Sequence, residues 1–183
     1  DIKRQYMENF KEAIGRIRAF AFDVDGVFTN GEIIITPEGE FMRGYNSKDG
    51  YAVAYALKKG YKVCIISGGR GRALELRFRM LGVNGLYTAC TDKIETLKEF
   101  LDEHGLTSRE LMFMGDDLPD IEAMQHAGLA VCPADAATEV VAISHYISPF
   151  NGGAGCVRDV IEQVLRARGD WAFEKGFNVV SSI

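Results

Sequence analysis

Histidine is scarce in this chain, and its cysteines never occur in a metal-binding pair. His104, His126 and His145 are scattered along the sequence, which argues against a zinc centre. Cys64, Cys90, Cys132 and Cys156 lie far apart with no CxxC, and three of them sit in or beside apolar stretches. That pattern predicts buried thiols in a reducing cytosol rather than a disulfide or metal framework. No apolar run approaches the roughly 20 residues that span a bilayer. The stretch DIKRQYMENFKEAIGRIR is charged throughout and has no apolar centre, so it does not read as a secretory signal, and a cytoplasmic location is expected. An excess of basic charge is missing too. The formal net charge of -5 argues against a nucleic-acid binder that works by phosphate neutralisation. It leaves room for a small anionic ligand, which needs only a local cluster of cations or a metal.

At 183 residues and 47% apolar, the chain fits one domain, 1–183, with a core that needs no covalent staples. Short apolar runs (RAFAFD, YKVCIISG, ELMFMGDD, LAVCP, HYISP) alternate with helical patterns near 49–59, 72–81, 93–104, 117–126 and 157–166. An amphipathic first helix is expected from Tyr6, Phe10, Ile14 and Ile17. This βαβ rhythm predicts an α/β fold: a three-layer α/β/α, Rossmann-like parallel sheet. One segment interrupts it. EIIITPEGEFMRGYN, about 32–46, reads as a β-hairpin inserted after the first strand. Its isoleucines are too apolar for a free-standing flap, so it is expected to pack on a neighbouring subunit. The tail of about 171–183, containing FEKGFNVVSSI, is apolar enough to suggest the same.

The stretch FAFDVDGVFTN carries the first chemical signal. Asp23 and Asp25 lie one residue apart at a strand end, on one side of an extended chain, where they repel each other unless something positive is present. In a parallel α/β sheet, ligands collect at the carboxyl ends of the strands. Ser67, Gly68 and Gly69 close the second major strand, Asp116 and Asp117 follow ELMFM, and Lys93 opens a helix. Hard carboxylate oxygens without histidine or thiolate suit Mg²⁺, which binds through one or two carboxylates plus a substrate phosphate. Ser67 and the amides of SGGRG form a turn before a helix, a geometry that cradles phosphate. Each motif alone has a plainer reading as a turn, a helix cap or a solvated lysine. Their order and their common place at strand ends point to one site.

The constellation resembles the haloacid dehalogenase superfamily of aspartyl-phosphate phosphohydrolases over almost the whole chain. The resemblance implies that Asp23 attacks phosphorus and that Asp25 protonates the leaving alcohol, then activates water. It further implies that Ser67 and Lys93 hold the phosphoryl oxygens, and that Mg²⁺ is bound by Asp23, the backbone carbonyl of Asp25, and Asp116. The gaps between motifs leave no room for a cap domain. DVDGVFTNG, YNSKDGYAV, GDDLPD and NGGAGCVRDVIEQVL resemble, more narrowly, the capless, tetrameric 3-deoxy-D-manno-octulosonate 8-phosphate phosphatases of lipopolysaccharide synthesis. That likeness implies substrate contacts from Asp25, Asn46, Ser47, Lys48, Asp49, Gly50, Gly68, Arg70, Arg77 and Lys93, in a homotetramer whose neighbouring subunits complete the sites. The chain departs from the subfamily in two places. Ser67-Gly68-Gly69-Arg70 replaces a T-G-R pattern, displacing the arginine by one position, and Ala54 stands where some relatives carry arginine. A phosphatase of a nine-carbon keto sugar acid and a non-catalytic oligomerisation domain remain as alternatives. A phospho-accepting receiver has its acids in a different strand order, and SGGRGRAL lacks the GxGxxG of a dinucleotide binder.

Overall fold

The structure, a computed structural model, describes residues 9–177. Six parallel strands form the sheet: β1 (Ala19–Phe22), β4 (Lys62–Ile66), β5 (Gly85–Tyr87), β6 (Leu111–Met114), β7 (Leu129–Cys132) and β8 (Tyr146–Ile147), in the order β5-β4-β1-β6-β7-β8. The remaining two strands, β2 (Ile34–Ile35) and β3 (Phe41–Met42), pair antiparallel as the expected hairpin. Chain order runs outward from β1 to β5 on one side and from β6 to β8 on the other. The tip between β1 and β6 is therefore the switch point, where the connections diverge and leave a crevice.

Period-two alternation sorts the strand side chains onto the two faces. Phe20, Phe22, Val63, Ile65, Met112 and Met114 join one core with α2 (Ser47–Lys58), α3 (Arg72–Leu81) and α7 (Cys156–Ala167). Ala19, Ala21, Cys64, Ile66, Leu111 and Phe113 join the other with α4 (Lys93–Glu103), α5 (Ile121–His126) and α6 (Thr138–Ile143). Both faces of the sheet are covered, which makes it the expected α/β/α sandwich without a cap domain. All four cysteines are free thiols, and three of them are buried. Among the described residues no helix is long and apolar enough to cross a membrane.

Several elements differ from the sequence reading. The first helix, α1 (Phe10–Ala13), is one turn of α-helix continued as a 3-10 turn over Ile14–Arg16, and Ile17 is already extended. Gly15 sits at the point where the helical pattern would have to continue, and glycine disfavours that. Tyr6 lies outside the described residues. The helix expected from Asp117 begins instead as a 3-10 turn, Leu118–Asp120, because Asp117 caps it and Pro119 has no amide to donate. Helix α6 was not foreseen. In the described part of the tail, Trp171 and Phe177 pack edge-on against Tyr51 and Tyr55 of the same chain, the Tyr55 hydroxyl donates to the Ala172 carbonyl at 2.8 Å, and Phe173 stays exposed.

Side chains fix the starts of three helices. Asn46 caps α2 by accepting from the amides of Lys48 and Asp49. Asp92 caps α4 and so sets Lys93 at its first turn. The cap position of α7 is Gly155, which has no side chain to offer; Asp49 of α2 supplies the acceptor, taking the Arg158 amide on Oδ1 at 2.9 Å.

The loop after β1 is pressed against the loop before α7. A Cβ on Gly152 would lie 2.0 Å from the Gly26 carbonyl oxygen. Gly152→Ala is therefore expected to destabilise the fold by about 1–3 kcal/mol through overpacking, read as a lowered urea midpoint with an unchanged slope.

Candidate active site

The crevice at the β1–β6 tip is a cleft of about 890 Å³, lined by Asp23, Asp25, Ser67, Gly68, Gly69, Lys93 and Asp116 among others. The sheet brings these residues together through register. Phe22 pairs with Ile65 and Met114, so the residues that follow each strand emerge side by side. The Asp23 amide continues the ladder to the Met114 carbonyl at 3.1 Å, which holds Asp23 to the edge of the sheet.

At the centre lies Lys93, its ammonium 2.6 Å from Asp120 Oδ1 and 3.2 Å from Asp23 Oδ1. Asp120 is buried, and its second oxygen accepts from the amides of Asp116 at 3.0 Å and Asp117 at 3.4 Å. Both of its oxygens are thus committed, and Asp120 acts as the post that holds Lys93 and the Asp116 backbone. Asp23 is engaged through Oδ1, which also takes the Val24 amide at 2.8 Å. Asp116 differs: its Oδ1 is buried with no hydrogen-bond partner among the described residues. Gly26, at φ 85°, makes room for it, because a Cβ there would stand 1.9 Å from Asp116 Oδ2.

The residues present fit a divalent cation. Carboxylate oxygens of Asp23, Asp116 and Asp120 lie within 4.8 Å of one another. Three ionised carboxylates against the one ammonium of Lys93 leave a formal charge of -2. The donors are all oxygen, and one of them is a buried orphan, the atom a metal would be expected to satisfy. Without the cation, burial raises the Asp23 carboxyl well above the ordinary range. The Asp120 charge adds to the rise, and Lys93 only partly offsets it. Asp116 is pushed up to about 7 by burial, then by the charges of Asp120 and Asp117. For Lys93, burial works against the charge but is outweighed by Asp23 and Asp120, so its proton is held more firmly.

Asp25 faces elsewhere. Its carboxylate is paired with Arg43, which follows β3, at 2.6 Å from Nε to Oδ1 and 3.2 Å from Nη2 to Oδ2. Ser67 is buried, and its Oγ accepts the Gly69 amide at 3.0 Å.

The other residues named from the sequence lie apart from the cleft. Asn46 caps α2 and donates to the Gly153 carbonyl at 3.4 Å. Lys48 is exposed, whereas Gly50 is buried. Asp49 is also buried, as the cap of α7, and its carboxyl rises to about 6 through desolvation. Arg70 is exposed, with its carbonyl accepting from Arg43 Nη1 at 3.3 Å. Ser47 and Arg77 line a second, apolar groove of about 340 Å³ with Tyr45, Ala73, Leu76 and Met80. Two members of the site were missed in the sequence. Asp120 had a signal, since GDDLPD holds a third acid four residues after Asp116. Arg43 had none beyond its charge.

An acidic cluster with a buried lysine, at the switch point of a parallel sheet and beside a hydroxyl and glycine amides, is the equipment of a metal-assisted phosphohydrolase. Comparison with known proteins agrees. Residues 84–161 match the haloacid dehalogenase-like hydrolase family. The 3-deoxy-D-manno-octulosonate 8-phosphate phosphatase KdsC of Escherichia coli K12 is 32% identical over 163 residues, 89% of this chain and 87% of that protein. The crystal structure of the Yersinia pestis octulosonate phosphatase superposes with a TM-score of 0.86 at 32% identity, covering 89% of this chain and 88% of the other. That of the Moraxella catarrhalis enzyme, in complex with magnesium ion, phosphate ion and KDO, gives 0.85 at 29% identity, covering 90% and 95%. The chain belongs to the haloacid dehalogenase superfamily, in its KdsC-like phosphatase subfamily. It is a phosphatase with a divalent-metal cofactor.

The raised carboxyls make metal binding and stability pH-dependent in a definite direction. In the metal-free protein the folded state holds protons that the unfolded chain has released between about pH 4 and the raised values, about 7 for Asp116. Protons bound in the folded state exceed those in the unfolded one, so this contribution is present in full below about pH 4 and is lost as pH rises through the folded values. The metal-free Tm is therefore expected to fall across that window. Mg²⁺ should reverse the trend, with a larger Tm gain at pH 8 than at pH 5 and with proton release measurable by titration calorimetry in buffers of different ionisation enthalpy.

Proposed function

We propose that this chain, read as one phosphatase domain over 1–183, hydrolyses 3-deoxy-D-manno-octulosonate 8-phosphate to the free keto sugar acid and phosphate through a phosphorylated Asp23. The observation that carries the chemistry is the Asp23–Lys93–Asp120–Asp116 cluster at the β1–β6 tip. The substrate is supported by the relatives' own activity, since the E. coli and Y. pestis proteins are phosphatases of that compound.

Magnesium, held by Asp23, Asp116 and the Asp25 carbonyl, would supply charge neutralisation at the phosphoryl oxygens. Asp23 is the nucleophile: a carboxylate is weak, but one fixed by the sheet edge and by Lys93 is already oriented for in-line attack. Lys93 and Ser67, with the Gly68 amide, hold the transferring phosphoryl group. Asp25 gives a proton to the departing alkoxide as the P–O bond breaks. It then takes a proton from the water that attacks phosphorus, which releases phosphate and restores the Asp23 carboxylate.

Asn46, Ser47, Lys48, Asp49, Gly50, Arg70 and Arg77 are proposed to serve the sugar acid across a subunit boundary. Lys48 and Arg70 are exposed, and Ser47 and Arg77 line the neighbouring groove, which is consistent with that role. Ile34 and Ile35, at 68% and 65% exposed on the hairpin, support burial against a second copy, and the assembly is proposed to be a homotetramer in the cytoplasm. Asp49 and Gly50, being buried, would contribute by shaping the start of α2.

Asp23→Asn is expected to remove Mg²⁺-dependent phosphate release by more than about 10⁴-fold while keeping the fold. A variant that keeps its activity would remove Asp23 as the nucleophile, whereas a wild-type protein with no Mg²⁺-dependent phosphate release would point to a scaffolding role. Comparison of kcat/KM on eight-carbon and nine-carbon keto acid phosphates and on hexose phosphates tests the substrate, with the eight-carbon compound expected to lead.

A further inference from the structure

Arg43 of the hairpin reaches the catalytic edge, and its side chain is almost completely buried, at 3% exposed, although β2 and β3 are mostly exposed. A hairpin of two-residue strands is marginal on its own. Burying a guanidinium there needs a compensating partner, and the partner is Asp25. The contact is two-pronged, Nε to Oδ1 at 2.6 Å and Nη2 to Oδ2 at 3.2 Å, a fork that also fixes the plane of the carboxyl group. The third nitrogen, Nη1, donates to the Arg70 carbonyl at 3.3 Å, so the guanidinium ties together hairpin, acid and the turn after β4.

The turn has been cleared to admit this pair. A Cβ on Gly69 would stand 2.8 Å from Asp25 Oδ2, 2.9 Å from Arg43 Nη2 and 3.1 Å from Ser67 Oγ. No backbone reason requires glycine there, since its φ is not in the left-handed region. The requirement comes from the space around Asp25. The two carboxyl oxygens are also unequal. Oδ1 has the short contact to Arg43, whereas Oδ2 is held more loosely and lies beside Gly69 and Ser67, where both residues line the cleft.

We propose that Arg43, in the space left by Gly69, is the positioning residue for Asp25: it anchors Oδ1 and presents Oδ2 to the departing oxygen of the substrate. This rests on the reading of Asp25 as the acid that protonates that oxygen. Arg43 itself does not line the cleft and does not touch the reacting atoms. Whatever holds the hairpin therefore also holds the acid in place. Lysine cannot substitute, because a point charge lacks the planar fork.

The test separates acid positioning from general damage by the choice of leaving group. An alkyl phosphate monoester needs a proton on its departing oxygen; p-nitrophenyl phosphate releases a stable phenolate without one. Arg43→Ala and Arg43→Lys are each expected to lose about 10²-fold in kcat/KM on the alkyl ester and under about five-fold on the aryl ester. The Mg²⁺ concentration for half-maximal activity should stay unchanged. Arg43→Lys keeps the positive charge and most of the side-chain volume, so a folding defect in Arg43→Ala does not decide the matter. Equal losses on both esters in Arg43→Lys overturn the proposal, as does a shifted Mg²⁺ requirement. Asp25→Asn is the control. A selective alkyl loss in that variant alone leaves the acid assignment standing and removes only the role of Arg43. No selective loss in Asp25→Asn removes the acid assignment and the proposal together.

Discussion

Three carboxylates crowded into less than 5 Å repel one another, and holding them there is the demand the rest of the molecule meets. At such separations each like-charge pair costs about 4 kcal/mol at the effective dielectric of a protein surface. A flexible loop would relax by moving them apart. Here the sheet prevents that: Asp23 is the continuation of the central strand, bonded to β6, and Asp116 and Asp120 belong to the capped turn that follows β6. Lys93 relieves one charge, and the remaining excess is what a divalent cation answers. The same cluster that is unfavourable in the empty site becomes favourable once metal and phosphate arrive, so the fold stores in its carboxylates the affinity that the reaction uses.

The geometry divides labour between two aspartates only one residue apart. Asp23 points into the charged cluster, and Asp25 is drawn to the other side by Arg43. Their different partners would keep the Asp25 carboxyl off a bound metal, as its proposed role as proton donor requires. The close-packed glycines serve this arrangement. Gly26 lets the turn after β1 approach Asp116, Gly69 leaves room for the Asp25–Arg43 pair, and Gly152 pins the turn from below. With no cap domain over it, the cleft is open in the single chain.

The sheet and most helices were legible in the sequence because burial leaves a period. AFAF and KVCII read as strands, and the 72–81 helix falls where its pattern placed it, between Gly71 and the left-handed Gly82. The catalytic edge was legible for a different reason: acids, a hydroxyl and a lysine occur just where strands end. What failed was local order set by a single residue, as when Gly15 and Pro119 turned expected helices into 3-10 turns. Partnerships across the chain were also invisible. Nothing near Arg43 announces that it will meet Asp25, and nothing in NSKDG announces that Asp49 will cap a helix more than a hundred residues away. Asp120 could have been found, since its spacing from Asp116 puts both on one turn. A helix-capping role accounts equally well for an acid at that position, which hides its part in the site.

Trapping the covalent intermediate reaches the centre of this account most directly. The Mg²⁺-loaded protein is quenched in acid during turnover of a sugar-acid phosphate, and its peptides are weighed by mass spectrometry after reductive trapping of acyl phosphates. The expected result is a single modified position, Asp23, that disappears in Asp23→Asn. A phosphoryl group on another residue, or full turnover with Asp23 never modified, would contradict it.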